Sequence, residues 1–183
     1  FFISWNSHSK FNGIKAKHII FAEGFGMHQN PYFNFLPLDG TKGELFIIKA
    51  PNLTIDVIVN TSVFILPLGD GLFKVGATYN WKDKTDLPTS DGKEELIARI
   101  KEIISCEFEV IDHFAGVRPT VRDRRPLVGT HDTYSQLHIL NGLGTRGVML
   151  GPSMAKALYN NIEHQLPLSD EINWNRYLKK FRK

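Results

Sequence analysis

The sequence predicts an α+β fold: a central antiparallel sheet with one helix, flanked on both sides by short strands that end in glycine turns. Three observations carry this. Across residues 42–79, β-rich runs follow one another with gaps too short for a crossover helix, which makes the pairing antiparallel. Over residues 91–104 the apolar period changes to that of an amphipathic helix. Outside this block, the apolar runs 17–22 and 136–140 stop at the glycine turns holding Gly24 and Gly142.

Taken in order, Lys17, His18, Ile19, Ile20, Phe21 and Ala22 read as a buried strand entering the turn Glu23, Gly24, Phe25, Gly26. Residues 27–40, with Pro31, Pro37 and Gly40, read as loop or one short helix. Strands are expected over 44–49, 54–59, 62–66 and 72–79, forming a meander whose turns contain Pro51, Asn60 and Gly69 to Gly71. Leu96, Ile97, Ile100, Ile103 and Ile104 form the helical stripe that follows, with Ser90 or Asp91 as its cap. Alternation resumes over 107–113, and 136–140 is a further short strand. Helices are expected over 153–165 and 170–181, the second with Trp174, Tyr177, Leu178 and Phe181 on one stripe.

Composition excludes several function classes. A formal charge of +3 over 183 residues is mild, and the basic clusters Arg122, Arg124, Arg125 and Lys179, Lys180, Arg182, Lys183 read as solvated faces. The single cysteine, Cys106, forbids an internal disulfide and fits a reducing compartment, so a cytoplasmic location is expected. No apolar run approaches the roughly 20 residues of a membrane span. The opening Phe1, Phe2, Ile3 has neither initiator Met nor the pattern of a signal peptide, so the chain reads as a fragment of a longer protein. The seven histidines show no metal-ligand spacing, and no Gly-x-Ser-x-Gly elbow is present; neither a metal site nor a serine hydrolase is expected.

Two segments carry chemistry. Gly142, Leu143, Gly144, Thr145, Arg146 and Gly147 fit G-x-G-x-x-G between a strand and a helix. The dinucleotide fingerprint also needs a second strand and a ribose-binding acid about 20 residues on, and neither follows here. What survives is general: glycines admit close approach and a helix start favours negative charge, unless the turn merely packs. In the second segment, Arg118 stands between Gly116 and Pro119, where a pinned guanidinium is a natural clamp for carboxylate or phosphate. A surface ion pair is the alternative for any single arginine.

GVRPTVRDRRPLVG followed by LHILNGLGTRGVMLGPSMAKAL resembles the C-terminal signature of the D-amino-acid-oxidase-type (DAO) family of FAD-dependent oxidoreductases. Upstream, AKHIIFAEGFG is similar to the strand and glycine turn that re-enter that family's FAD domain, and PLDGTKGELF to the strand opening its substrate domain. The resemblance spans residues 15–165 in order. It implies an incomplete FAD-binding, Rossmann-like domain whose returning pieces are residues 1–39 and 114–183, with residues 40–113 as a substrate domain made of the antiparallel sheet and its helix. The family's own dinucleotide fingerprint lies in an N-terminal half that this chain lacks.

The resemblance also implies roles. FAD is the cofactor and a small amine or amino acid the substrate, oxidised at its C–N bond. Arg118 matches the arginine that anchors a substrate carboxylate, with Tyr79 lining the pocket. Residues 142–147, with Glu23 and Gly24, match the turns that run beside the cofactor. Lys74 aligns with a lysine that some members use to activate oxygen. Relatives carry an arginine where this chain has Thr145, with Arg146 shifted by one. The family includes the FAD domain of a tRNA-modifying enzyme, so tRNA is an alternative partner, read by Arg122, Arg124, Arg125 and the basic tail. A non-catalytic binding module is the remaining alternative, and it predicts no exposed apolar surface beside Gly24 and Gly142.

Overall fold

The computed structural model describes residues 9–11 and 14–178; the opening residues read as a fragment start and the lysines and arginine of the basic tail lie outside them. The chain divides into two compact units, Phe1–Gly40 with Pro119–Lys183, and Thr41–Arg118.

The Thr41–Arg118 unit is a five-stranded antiparallel sheet. Leaving aside the hairpin strands β1 (Ser9–Phe11) and β2 (Ile14–Ala16) and the short β3 (Ile19–Phe21), its members are β4 (Thr41–Lys49), β5 (Val59–Asn60), β6 (Phe64–Gly69), β7 (Leu72–Gly76) and β8 (Glu109–Arg118). Their order is β5-β6-β7-β4-β8, so the sheet is antiparallel throughout but not a plain meander: β4 pairs with β7 on one side and β8 on the other. Phe46, Ile48, Val63, Ile65, Phe73 and Val75 point to one face, where Leu96, Ile100 and Ile104 cover them. The covering helix α1 (Ser90–Lys101) is capped by Thr89, one residue before the caps expected, because its hydroxyl accepts from Gly92 N. The strand expected over 54–59 shrinks to Val59–Asn60. Leu53 and Ile55 reach the core, but Val57 and Ile58 are exposed, and β-propensity cannot hold a strand that has no partner.

The other unit holds a three-stranded sheet of order β3-β10-β9, with β9 (Leu127–Thr130) and β10 (Leu137–Asn141) antiparallel and β3 parallel to β10. β9 was not anticipated; its residues share a segment dominated by arginines. Strand β3 is less buried than its apolar run suggests, with Ile20 51% exposed. Helix α2 (Gly147–His164) starts six residues earlier than expected and carries Pro152 as its sixth residue, where the missing N–H leaves the Val148 carbonyl without its usual i+4 donor. Of the terminal helix expected over 170–181, the described residues hold a 3-10 turn at Trp174–Tyr177, and Phe181 lies outside them. Trp174 is still buried, its indole N–H donating to Thr130 O at 2.8 Å. Met27, Phe33, Leu36, Leu38, Val121, Leu127 and Ile139 complete this core.

Within β10, His138 is buried, with Nε2 2.9 Å from His18 Nδ1 and Nδ1 2.9 Å from the Thr130 hydroxyl. Burial, and then the neighbouring His18, push His138 from 6.5 down to about 4. A histidine that is neutral when folded but binds a proton when unfolded destabilises the fold as pH falls through that interval. The melting temperature of the protein is therefore expected to fall between pH 6.5 and about 4, and His138→Asn to show a shallower slope there. Identical slopes in the two proteins would contradict this.

Candidate functional site

The two-residue period of β4 separates two environments. Lys42 and Glu44 continue the parity of Phe46 and Ile48 onto the buried face, and both are buried. Thr41, Gly43, Leu45 and Ile47 point the other way, in register with Arg118, Gly116, Phe114 and Asp112 of β8. Gly76 and Lys74 of β7 pair with Leu45 and Ile47 and share that second face. It is the more open one: Phe114 is 48% exposed, and Leu45, Ile47 and Lys74 are half-buried.

Arg118 ends β8 on this open face. Its guanidinium carbon lies 4.5 Å from the centroid of the Tyr79 ring, and Nη1 donates to Thr78 O at 3.4 Å. Partial burial draws Arg118 down from its ordinary value, while Tyr79 opposes that shift. The guanidinium keeps its charge, since an arginine remains protonated at neutral pH. Residues 78–80 hold this arrangement by continuing to pair with β4 after β7 ends. Thr78 N donates to Glu44 O and its hydroxyl accepts from Glu44 N at 2.9 Å, and Asn80 exchanges two backbone hydrogen bonds with Lys42. Arg118 and Tyr79 are thus brought together. Lys74 shares their face but sits on the row of Ile47, four residues of β4 from Gly43, or about 13 Å.

Behind this face lies a buried charge cluster that the sequence reading missed. Lys42 Nζ donates to Asp83 at 2.5 Å, to the Thr85 hydroxyl at 3.2 Å and to Leu87 O at 2.5 Å. Glu44 accepts from Thr89 N at 2.9 Å and from the Thr89 hydroxyl at 2.7 Å, and lies 2.8 Å from His113 Nε2. The Glu44–His113 approach is close enough for charge but out of line for a hydrogen bond. These side chains wrap the loop from Tyr79 to α1 around β4. The signal was available: two charged residues on the buried parity of a strand need partners.

In the other unit, Gly24 follows β3 and residues 142–147 follow β10, so two glycine turns stand at the carboxyl ends of neighbouring parallel strands. Ligands of open parallel sheets bind in such crevices. Asn141 ties the turns together: its Nδ2 donates to Gly24 O at 2.9 Å and its Oδ1 accepts from Gly142 N at 2.8 Å. Gly142 (φ +70°) is fixed by packing, since a Cβ there would overlap Val121. Gly24 and Gly144, also left-handed, are bare instead, with nothing within 4 Å of an added Cβ. A flat ligand can therefore reach this backbone. Thr145 and Arg146 are exposed and Leu143 and Gly147 half-buried, and Arg146 Nη2 donates to Arg124 O at 3.4 Å. Glu23 is exposed and accepts from Asn30 Nδ2 at 2.7 Å. Directly after Gly147, Val148 and Met149 are 98% and 67% exposed.

A family model for FAD-dependent oxidoreductases of the DAO type matches residues 5–160. The chain belongs to the DAO family. FAD is the cofactor of that family, and the bare, cross-tied glycine turns fit a cofactor of its flat shape. Among similar proteins, glycine oxidase of Bacillus subtilis (strain 168) is 25% identical over 176 residues, covering 92% of this chain and 46% of the oxidase. The tRNA 5-methylaminomethyl-2-thiouridine biosynthesis bifunctional protein MnmC of Marinobacter nauticus is 24% identical, over 83% of this chain and 27% of that protein. The crystal structure of iminodiacetate oxidase from Chelativorans sp. BNC1 superposes with a TM-score of 0.75 at 25% identity, over 87% of this chain and 46% of the other. This DAO-family chain thus spans about half the length of the oxidases it matches. Among its described residues, no helix is long and apolar enough to cross a membrane.

The Lys42 cluster makes a testable statement. Hydrogen bonds from Lys42, then from the backbone and side chain of Thr85, hold Asp83 down from 3.8 to about 2. A carboxylate with a depressed value stabilises the fold above its ordinary pKa and loses that contribution as pH falls through the folded one. Asp83→Asn is expected to lower the melting temperature at pH 7, with the gap to the unmodified protein closing between pH 4 and 2. A gap that stays constant through that interval would contradict the assignment.

Proposed function

We propose that the protein oxidises the C–N bond of a small amine or amino acid that carries a carboxylate, giving an imine that water hydrolyses. The observation that carries this reading is Arg118, a half-buried guanidinium at the end of an open sheet face, beside the ring of Tyr79. A planar, permanently charged donor fork suits bidentate pairing with a carboxylate. The Tyr79 ring lies against the guanidinium and would line the substrate site beside it.

The backbone of residues 142–147, with Gly24 and Glu23, would hold FAD, and free N–H groups at the start of α2 favour negative charge placed against them. When bound, FAD supplies the acceptor for the hydride leaving the substrate carbon. The remaining work is positional. Arg118 fixes the carboxylate end of the substrate, which leaves the amine end to be oriented for transfer. Lys74, an ammonium on the same sheet face, is the candidate for assisting the reaction with oxygen. The exposed Val148 and Met149 beside the glycine turns speak against a self-contained binding module.

A second reading, in which the amine is a modified uridine of tRNA, draws on the similarity to the bifunctional biosynthesis protein. Its basic face is partly engaged: Arg122 lies 3.3 Å from Asp39, and Arg125 lies 3.6 Å from Glu171. Binding to tRNA with a steep salt dependence, lost on removing Arg122, Arg124 and Arg125, would favour it.

The test uses the full-length protein. It is expected to carry flavin absorption bands and to turn over a small amino acid. Arg118→Met is expected to raise KM by about 100-fold, from about 3 kcal/mol of lost charged hydrogen bonds. A colourless protein, or an Arg118→Met variant with unchanged KM for every carboxylate-bearing amine it oxidises, would overturn the reading.

A further inference from the structure

Arg118 owes its position to a gap in the sheet beneath it. Gly43 sits on β4 between Thr41, the register partner of Arg118, and Leu45, and its own partner is Gly116. A Cβ built on Gly43 would overlap the guanidinium carbon and both terminal nitrogens of Arg118. Gly43 has no positive φ, so its backbone would accept any residue; the restriction is one of space. Gly116, across from it on the same face, differs: an added Cβ there meets nothing within 4 Å. Only Gly43, of this facing pair, is occupied by the arginine.

We infer that Gly43 is a positioning residue, whose missing side chain sets where Arg118 presents its charge and thereby sets the affinity for carboxylate-bearing substrates. This rests on the reading of Arg118 as the carboxylate anchor. The guanidinium lies against the Gly43 backbone, with Tyr79 beside it and Thr78 O taking one of its protons. The Gly43 backbone on one side, the Tyr79 ring on another and the bond to Thr78 O together fix where the guanidinium fork sits. A methyl group at position 43 would displace this fork. The cost falls on Arg118 and not on the sheet, because the obstructing atoms are the far end of a flexible side chain. Arginine and glycine therefore act as one unit, although they stand 75 residues apart in the sequence.

The experiment measures acetate binding by calorimetry in the FAD-loaded, full-length protein and in Gly43→Ala, Arg118→Met and the double variant, together with melting temperatures. Gly43→Ala is expected to melt close to the unmodified protein, to bind acetate about 10-fold more weakly, and to raise KM for the amino acid while leaving kcat in place. The double variant is expected to bind acetate no more weakly than Arg118→Met alone, since coupled residues do not add. Unchanged acetate affinity in Gly43→Ala, or additive losses in the double variant, would overturn the inference while leaving Arg118 as the anchor. Unchanged affinity in Arg118→Met would instead remove the anchor itself. Should Gly43→Ala fail to fold, recovery of folding in the double variant supports the clash with Arg118, and a double variant that also fails to fold overturns it.

Discussion

Strand β4 is paired on both sides, and its period of two leaves each residue only one of two environments. Phe46 and Ile48 are drawn under α1 by their apolar area. That choice forces Lys42 and Glu44 onto the same buried face, where neither could remain charged without partners. The loop between Tyr79 and α1 supplies those partners from Asp83, Thr85, Leu87 and Thr89. The same parity turns Gly43 to the open face, beside Arg118. Burial of one face thus organises the other. The charge cluster holds the loop that follows, while residues 78–80 pair with the β4 backbone and carry the carbonyl and ring that flank the guanidinium.

The unit holding the glycine turns follows a different logic. Its short sheet positions two turns at the carboxyl ends of parallel strands, and Asn141 bonds to both. Buried polar groups at such a junction restrict geometry more than they add stability. The result is exposed backbone without side chains, followed by exposed Val148 and Met149. The chain belongs to the DAO family, and the oxidases it matches are about twice its length.

Much of this could be read from residue order alone. The antiparallel sheet, α1, the glycine turns and the family were legible because each rests on local periodicity or on a contiguous motif. Long-range pairing was not. Nothing local in residues 54–59 reveals that Val57 and Ile58 lack a neighbouring strand, and nothing local marks β4 as the strand between β7 and β8. The terminal stripe of Trp174 and Tyr177 signalled burial correctly but not the 3-10 geometry of residues 174–177. At the site, Arg118 and Tyr79 stood out by residue type. Gly43 did not, since a glycine required for space looks like any other until its neighbour across the sheet is known.

The central claim is that Arg118 receives a carboxylate on the open face of this sheet. A crystal structure of the FAD-loaded, full-length protein soaked in acetate addresses it most directly. The account predicts a carboxylate paired with the guanidinium edge, with the arginine still seated over Gly43 and against Tyr79. Acetate bound elsewhere, with the Arg118 edge covered by protein atoms, would contradict it.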